Sequence, residues 1–221
     1  MSKTEHWNRV YATRPSDRVG WFKPHLTTSL AWIKQLELDP CDAIIDVGGG
    51  ASTLVDDLLA AGHRNVSVLD ISERAIEVSR ERLGSAADQV KWVIGDVTEA
   101  GIPDGSYGLW HDRAVFHFLT RPEERESYRE KIFESLRPGG FIVIGVFSPQ
   151  APPQCSGLPV QRYSAKNLAD FFGKGMKLEK HVYEDHETPS GVRQNYVYCL
   201  FRRVRLTDCG MLDHSWKRNI C

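Results

Sequence analysis

The sequence predicts an α/β protein built on a mostly parallel sheet. Short apolar runs alternate with helical patterns through the first two thirds of the chain, the rhythm of repeated strand–helix units. The run "GFIVIGVF" at 140–147 is apolar throughout, as a strand covered on both faces has to be. After residue 150 two alternating runs flank a short turn, which predicts an antiparallel hairpin at one edge of the sheet.

The elements follow in order. "DAIIDVG" (42–48) reads as a buried strand. "STLVDDLLAAG" (52–62) has helical spacing through Leu54, Val55, Leu58 and Leu59, with Gly62 as its C-cap. "NVSVLD" (65–70) is a strand, and "SERAIEVSRERLG" (72–84) is a helix running from N-cap Ser72 to Gly84. "VKWVIGD" (90–96) and "SYGLWHDRA" (106–114) are strands. The charged helix within 121–140 has a Pro near its start and Pro-Gly-Gly after its end. A Pro-rich loop (148–159) precedes a helix at 164–173. The runs at 176–189 and 193–204 form the hairpin, turning at Pro189, Ser190 and Gly191. Three segments result: an aromatic N-terminal lid or helix (1–38), a main domain (39–204) and a tail without clear period (205–221).

Composition narrows the function. The 221 residues are 41% hydrophobic and 26% charged, which suits one globular domain with a real core. A formal net charge of -1 argues against a nucleic-acid partner. No apolar run approaches a membrane span, and the N-terminus lacks a signal-peptide core. The five scattered cysteines fit a reducing, cytoplasmic setting. Neither they nor the eight histidines show ligand spacing, so no metal is expected.

The first strand ends in "DVGGGAST" (46–53). Glycine permits a tight turn and a close ligand approach. Gly48 and Gly50 keep a GxG spacing, while Thr53 stands where a dinucleotide fingerprint wants another small residue. Alone, the motif is weak. The acids strengthen it: Asp46, Asp70 and Asp96 each stand at or near the end of one of three successive strands. Ligands of parallel sheets bind outside those ends, and a carboxylate there accepts hydrogen bonds from a ribose diol. One such acid is commonly just a cap for the next helix; three in one crevice describe a nucleoside site with a cationic neighbour.

These motifs resemble the class I S-adenosylmethionine-dependent methyltransferases over roughly residues 20–203. "IIDVGGGAST" is similar to that family's first motif, with Ser52 where a third glycine usually stands. The resemblance implies a doubly wound seven-stranded sheet and S-adenosyl-L-methionine as cofactor. It implies that Gly48, Gly49 and Gly50 border the methionine part and that Asp46 supports the loop. Asp70 and Ile71 would meet the ribose, and Asp96 and Val97 the adenine. Trp7 and Trp21 would cap the donor, giving a cation–π contact to its sulfonium and excluding water. The N-terminal aromatics resemble the caps of thiopurine and related thiol methyltransferases. "GWF" and "HDRAVFHFL" are similar to lysine methyltransferases acting on elongation factor or citrate synthase, which carry Asp-Lys-Gly where this chain has Asp112, Arg113 and Ala114.

After the fourth strand stand His111, Asp112, Arg113 and His117. Asp112 and His117 are the expected catalytic pair, orienting or deprotonating an acceptor, with Asp112 also beside the donor. An ion pair of Asp112 with Arg113 and a buried helix face at His117 are the plainer alternatives. The leading expectation is methyl transfer by direct displacement to a small soluble thiol, amine or hydroxyl. A protein-lysine methyltransferase and a non-catalytic nucleoside-binding module are the alternatives. A nicotinamide-dependent oxidoreductase is disfavoured by the missing glycine and the terminal hairpin.

Overall fold

A computed structural model describes residues 1–204. The predicted tail at 205–221 lies outside the described residues. The chain opens with α1 (Lys3–Thr13) and α2 (Thr27–Gln35). There follow β1 (Ala43–Val47), α3 (Leu54–Ala60), β2 (Val66–Asp70), α4 (Glu73–Leu83), β3 (Val90–Ile94) and β4 (Tyr107–Arg113). Next come α5 (Pro122–Ser135) and β5 (Leu136–Phe147), then the two-residue strands β6 (Gln154–Cys155) and β7 (Leu158–Pro159). The described part closes with α6 (Ala165–Phe172), β8 (Met176–Glu187) and β9 (Arg193–Arg203).

Seven strands form one sheet in the order β3-β2-β1-β4-β5-β9-β8. The pairs among β1 to β5 are parallel; β9 joins β5 antiparallel and pairs with β8. This is the doubly wound sheet with a hairpin edge that the sequence predicts. Its order reverses direction at β1 and β4, where a crevice opens at the strands' carboxyl ends.

Strand alternation divides the core in two. Ile45, Val47, Trp110, Ile142 and Ile144 pack toward α5 and α6. Ile44, Val66, Val68, Leu109 and Val143 pack toward α2, α3 and α4. Along β4, Trp110 and Asp112 therefore face α5, whereas Leu109, His111 and Arg113 face the other way.

Two local readings change. The Pro-Gly-Gly after α5 is part of β5, which takes up the extra residues as a register shift between Tyr107 and Leu109. The Pro-rich loop contains the β6–β7 hairpin, which buries Cys155. Helix α4 is capped as expected: Ser72 Oγ accepts from Ala75 N at 3.1 Å, and Gly84 takes φ 56°.

Candidate active site

The three glycines do different work. Gly48 has φ 69°, and a Cβ there would come within 2.0 Å of Val115 Cγ2. A Cβ on Gly49 would lie 2.2 Å from Asp46 Oδ2. A Cβ on Gly50 would meet Ala75 Cβ at 2.5 Å and Asp70 Oδ2 at 2.6 Å. The loop is thus pressed against the protein's own side chains. Gly48→Ala combines a left-handed backbone cost of about 1–2 kcal/mol with that overlap, so an unfolding titration should show a loss of at least about 2 kcal/mol.

Asp70 ends β2 and is 6% exposed. Its Oδ2 accepts from Gly50 N at 3.0 Å and its Oδ1 from Ser72 N at 2.8 Å. Burial pushes its pKa up to about 6, against the pull of these amide donors. A carboxylate held this way keeps acceptor capacity for further donors. Asp96 is anchored by Thr98, whose N and Oγ1 donate to Oδ1 at 2.9 and 2.8 Å.

A cavity of about 760 Å³, open mouth included, lies over the ends of β1, β2 and β4. Gly48, Asp70, Ile71, Asp96 and Val97 line one side of it. Trp7, Tyr11, Trp21, Phe118 and Cys155 line the other, with Arg113. A second cavity of about 470 Å³ adjoins it at Gly48, Tyr11, Trp21 and Arg113, and reaches Asp46, Gly49, Ser52 and Lys23.

The N-terminal segment contributes Trp7, Tyr11 and Trp21 to the cavity wall. Trp7 meets Trp21 and Phe118 edge-on at 5.4 and 5.0 Å, and Trp21 Nε1 donates to Tyr11 Oη at 3.1 Å. Helix α1 is latched at two places. Asn8 Oδ1 accepts from Ser72 Oγ at 2.8 Å, and Lys3 pairs with Glu124 at 2.6 Å.

Asp112 and His117, the expected catalytic pair, both lie outside these cavities, and this corrects the sequence reading. Asp112 is fully buried on the α5 face of β4. Its Oδ1 accepts from Val115 N at 2.9 Å, and its Oδ2 from Phe116 N at 3.1 Å and Tyr128 Oη at 2.6 Å. It folds the turn after β4 and faces α5, outside both cavities. It makes no ion pair with Arg113 either. His117 is fully buried too, its Nδ1 accepting from Phe147 N at 3.2 Å. Burial, aided by Arg113, lowers its pKa to about 3, so it is neutral and enclosed. Gly50 also lines neither cavity; its N–H seats Asp70.

The other two candidates of this stretch, His111 and Arg113, have partners that the sequence does not reveal. His111 Nδ1 lies 2.6 Å from Asp46 Oδ1, and its Nε2 lies 2.9 Å from Ser29 Oγ. This resembles a nucleophile relay in outline, but Ser29 is fully buried within α2, so the chain ties helix to sheet. Arg113 reaches both cavities. Strand alternation explains its side: once Asp112 is assigned to α5, residues 111 and 113 share the opposite face.

Comparison with known proteins agrees with this geometry. Residues 44–140 match the methyltransferase domain family. The eEF1A lysine and N-terminal methyltransferase homolog of Drosophila melanogaster is 27% identical over 149 residues, covering 65% of this chain and 22% of that protein. The ubiquinone/menaquinone biosynthesis C-methyltransferase UbiE of Roseobacter denitrificans is 31% identical over 144 residues, covering 64% of this chain and 56% of that protein. The chain thus spans about a fifth to about half the length of these two relatives. A solved structure described as "Conversion of a Disulfide Bond into a Thioacetal Group during Echinomycin Biosynthesis" shares the fold, with TM-score 0.72, 19% identity and 92% coverage of both chains. Residues 44–140 are thus a methyltransferase domain, and the sheet order around them is the one expected for the class I S-adenosylmethionine-dependent methyltransferases. The cofactor of that class is S-adenosylmethionine.

The residues present fit such a cofactor. Asp70 is a buried carboxylate with lone pairs to spare at the end of β2, Asp96 stands at the next strand end, and bare glycine backbone lies between them and the adjoining cavity. A pH dependence follows from the raised pKa of Asp70, about 6. A carboxyl that must be ionised to accept two hydroxyl donors binds less well once protonated. Affinity for S-adenosylhomocysteine should therefore fall below about pH 6, toward tenfold per unit. Fold stability runs oppositely: a raised carboxyl pKa favours the fold below its unfolded value near 3.8 and loses that contribution as pH rises through about 6. Calorimetric titration at about pH 5 and about pH 7.5 checks the first sign.

Proposed function

We propose that this chain transfers a methyl group from S-adenosylmethionine to a small acceptor enclosed beneath the N-terminal segment. The observation that carries the reading is the closed aromatic side of the cavity, formed by Trp7, Tyr11, Trp21 and Phe118 beside the strand-end acids. In this reading residues 1–38 are the lid and 39–204 the catalytic domain. Asp70 and Ile71 hold the ribose, Asp96 and Val97 the adenine, and Gly48 and Gly49 the methionine end. Trp7 and Trp21 exclude water and present π-faces to the sulfonium. When bound, the cofactor supplies an electrophilic methyl group on sulfur.

The protein's part is alignment and enclosure. Among the described residues, the acceptor side of the cavity has no base suited to neutral pH. Burial raises the Tyr11 hydroxyl far above its usual range and the Cys155 thiol to about 12. The nucleophile must then arrive with a lone pair available. A thiol, with a pKa of about 8.5, is partly ionised, whereas a lysine amine near about 10.4 is not.

Similarity to eEF1A lysine methyltransferases supports a second reading, methylation of a protein lysine. It would need the α1 latch to open, because Lys3–Glu124 and Asn8–Ser72 hold the helix across the crevice. Similarity to UbiE, named for a small-molecule pathway, supports the first. No described helix is long and apolar enough to cross a membrane. The net charge of -1 disfavours nucleic acid as acceptor, and the cytoplasm is the proposed location. Incubation of cell extract with the enzyme and methyl-labelled donor separates the readings. Label in the small-molecule fraction is expected. Label confined to protein establishes the second reading, and no transfer with intact donor binding establishes a non-catalytic module.

A further inference from the structure

Arg113 carries a charge that its surroundings leave unmatched. Its Nε donates to Tyr198 Oη at 2.8 Å, its Nη1 donates to the Trp21 carbonyl at 2.6 Å, and its guanidinium lies 4.8 Å above the Tyr196 ring. Its Nη2 is buried without an acceptor. Among the described residues no carboxylate lies within ion-pair distance of it. Glu184 lies on the edge strand β8, where it is bound by Lys23 and by Thr28. Lys23, Arg113 and Glu184 therefore leave one positive charge over. The histidines nearby do not change that count: burial, reinforced by Arg113, keeps His117 and His186 toward the neutral form, and His111 and Asp46, which also line the second cavity, are paired with each other. A part-buried cation with an unused N–H is costly unless an anion completes it.

The surroundings indicate where that anion comes from. Arg113 lines the main cavity together with Tyr11, Trp21, Phe118 and Cys155, and neither Asp70 nor Asp96, which also line it, pairs with the guanidinium. We propose that Arg113 recognises the acceptor: its guanidinium holds a carboxylate, or an equivalent anionic oxygen group, on a small apolar acceptor that fills the aromatic chamber. This deepens the small-molecule reading and rests on it. A planar guanidinium pairs two N–H groups with two carboxylate oxygens, which fixes orientation as well as charge. The same surplus charge disfavours a lysine ammonium at this position.

Benzoate and benzamide serve as a matched pair of probes, titrated calorimetrically into wild-type enzyme saturated with S-adenosylhomocysteine. Benzoate is expected to bind at least about tenfold more tightly. Arg113→Gln should abolish the preference, and Arg113→Lys should keep part of it. Affinity for S-adenosylhomocysteine in Arg113→Gln should stay within about threefold of wild type. Equal binding of the two probes to wild type, or binding of neither in the millimolar range, overturns the proposal. So does a preference that survives Arg113→Gln while S-adenosylhomocysteine binding collapses, which assigns the guanidinium to the donor's carboxylate. If Arg113→Gln does not fold, the wild-type pair and Arg113→Lys still decide. Failure of wild type to bind S-adenosylhomocysteine would instead sink the methyltransferase reading itself.

Discussion

Asp70→Asn weakens S-adenosylhomocysteine binding by on the order of ten- to a hundredfold near neutral pH, with the protein still folded. The substitution keeps shape and one acceptor oxygen, so Gly50 N or Ser72 N retains a partner. What disappears is the charge that strengthens hydrogen bonds from a diol, worth about 1.5–3 kcal/mol for a charged acceptor. The pH dependence expected below about 6 should vanish in the same variant, because its source is the Asp70 carboxyl. Calorimetry at two pH values reads both effects. Unchanged affinity, or an unchanged pH slope, would remove Asp70 from the binding site.

Asp112→Asn has the opposite signature. Three donors converge on the Asp112 carboxylate, from Val115 N, Phe116 N and Tyr128 Oη. An amide NH₂ in place of one oxygen sets donor against donor in a fully buried place. A loss of about 2–4 kcal/mol is expected, lowering Tm by roughly 5–15 °C for a domain this size. Affinity of the folded protein for S-adenosylhomocysteine should change by less than about threefold, because Asp112 lines neither cavity. Thermal unfolding and calorimetry together make the distinction. A large loss of binding at unchanged Tm would return Asp112 to the active site.

These two acids show what the sequence could reveal. Asp70 was legible because its position depends on local pattern: it ends a strand, precedes an N-cap serine, and follows the glycine loop by one strand–helix unit. The hairpin was legible in the same way, from alternation and a turn. The place of Asp112 is not legible in this way, because proximity in sequence is not proximity in space. Consecutive strand residues point to opposite faces, so Asp112 meets Tyr128 of α5 while Arg113 meets Trp21 and Tyr198. The glycines were recognised as necessary, but the crowding that requires them comes from Val115, Asp46 and Ala75, side chains the loop meets only in the folded state. Cys155 reached the cavity through a hairpin hidden in a Pro-rich loop, whose composition gave no period to read. The acceptor side is assembled from α1, the turn after β4, the β6–β7 hairpin and the edge strands. Tertiary contacts alone unite these segments.

The most direct test of the account is a crystal structure with S-adenosylhomocysteine bound. The account predicts ribose hydroxyls on Asp70, the adenine beside Asp96 and Val97, and the sulfur facing the enclosed space beside Tyr11, Phe118 and Arg113. A ribose placed away from Asp70, or a sulfur opening onto bulk solvent, would contradict it.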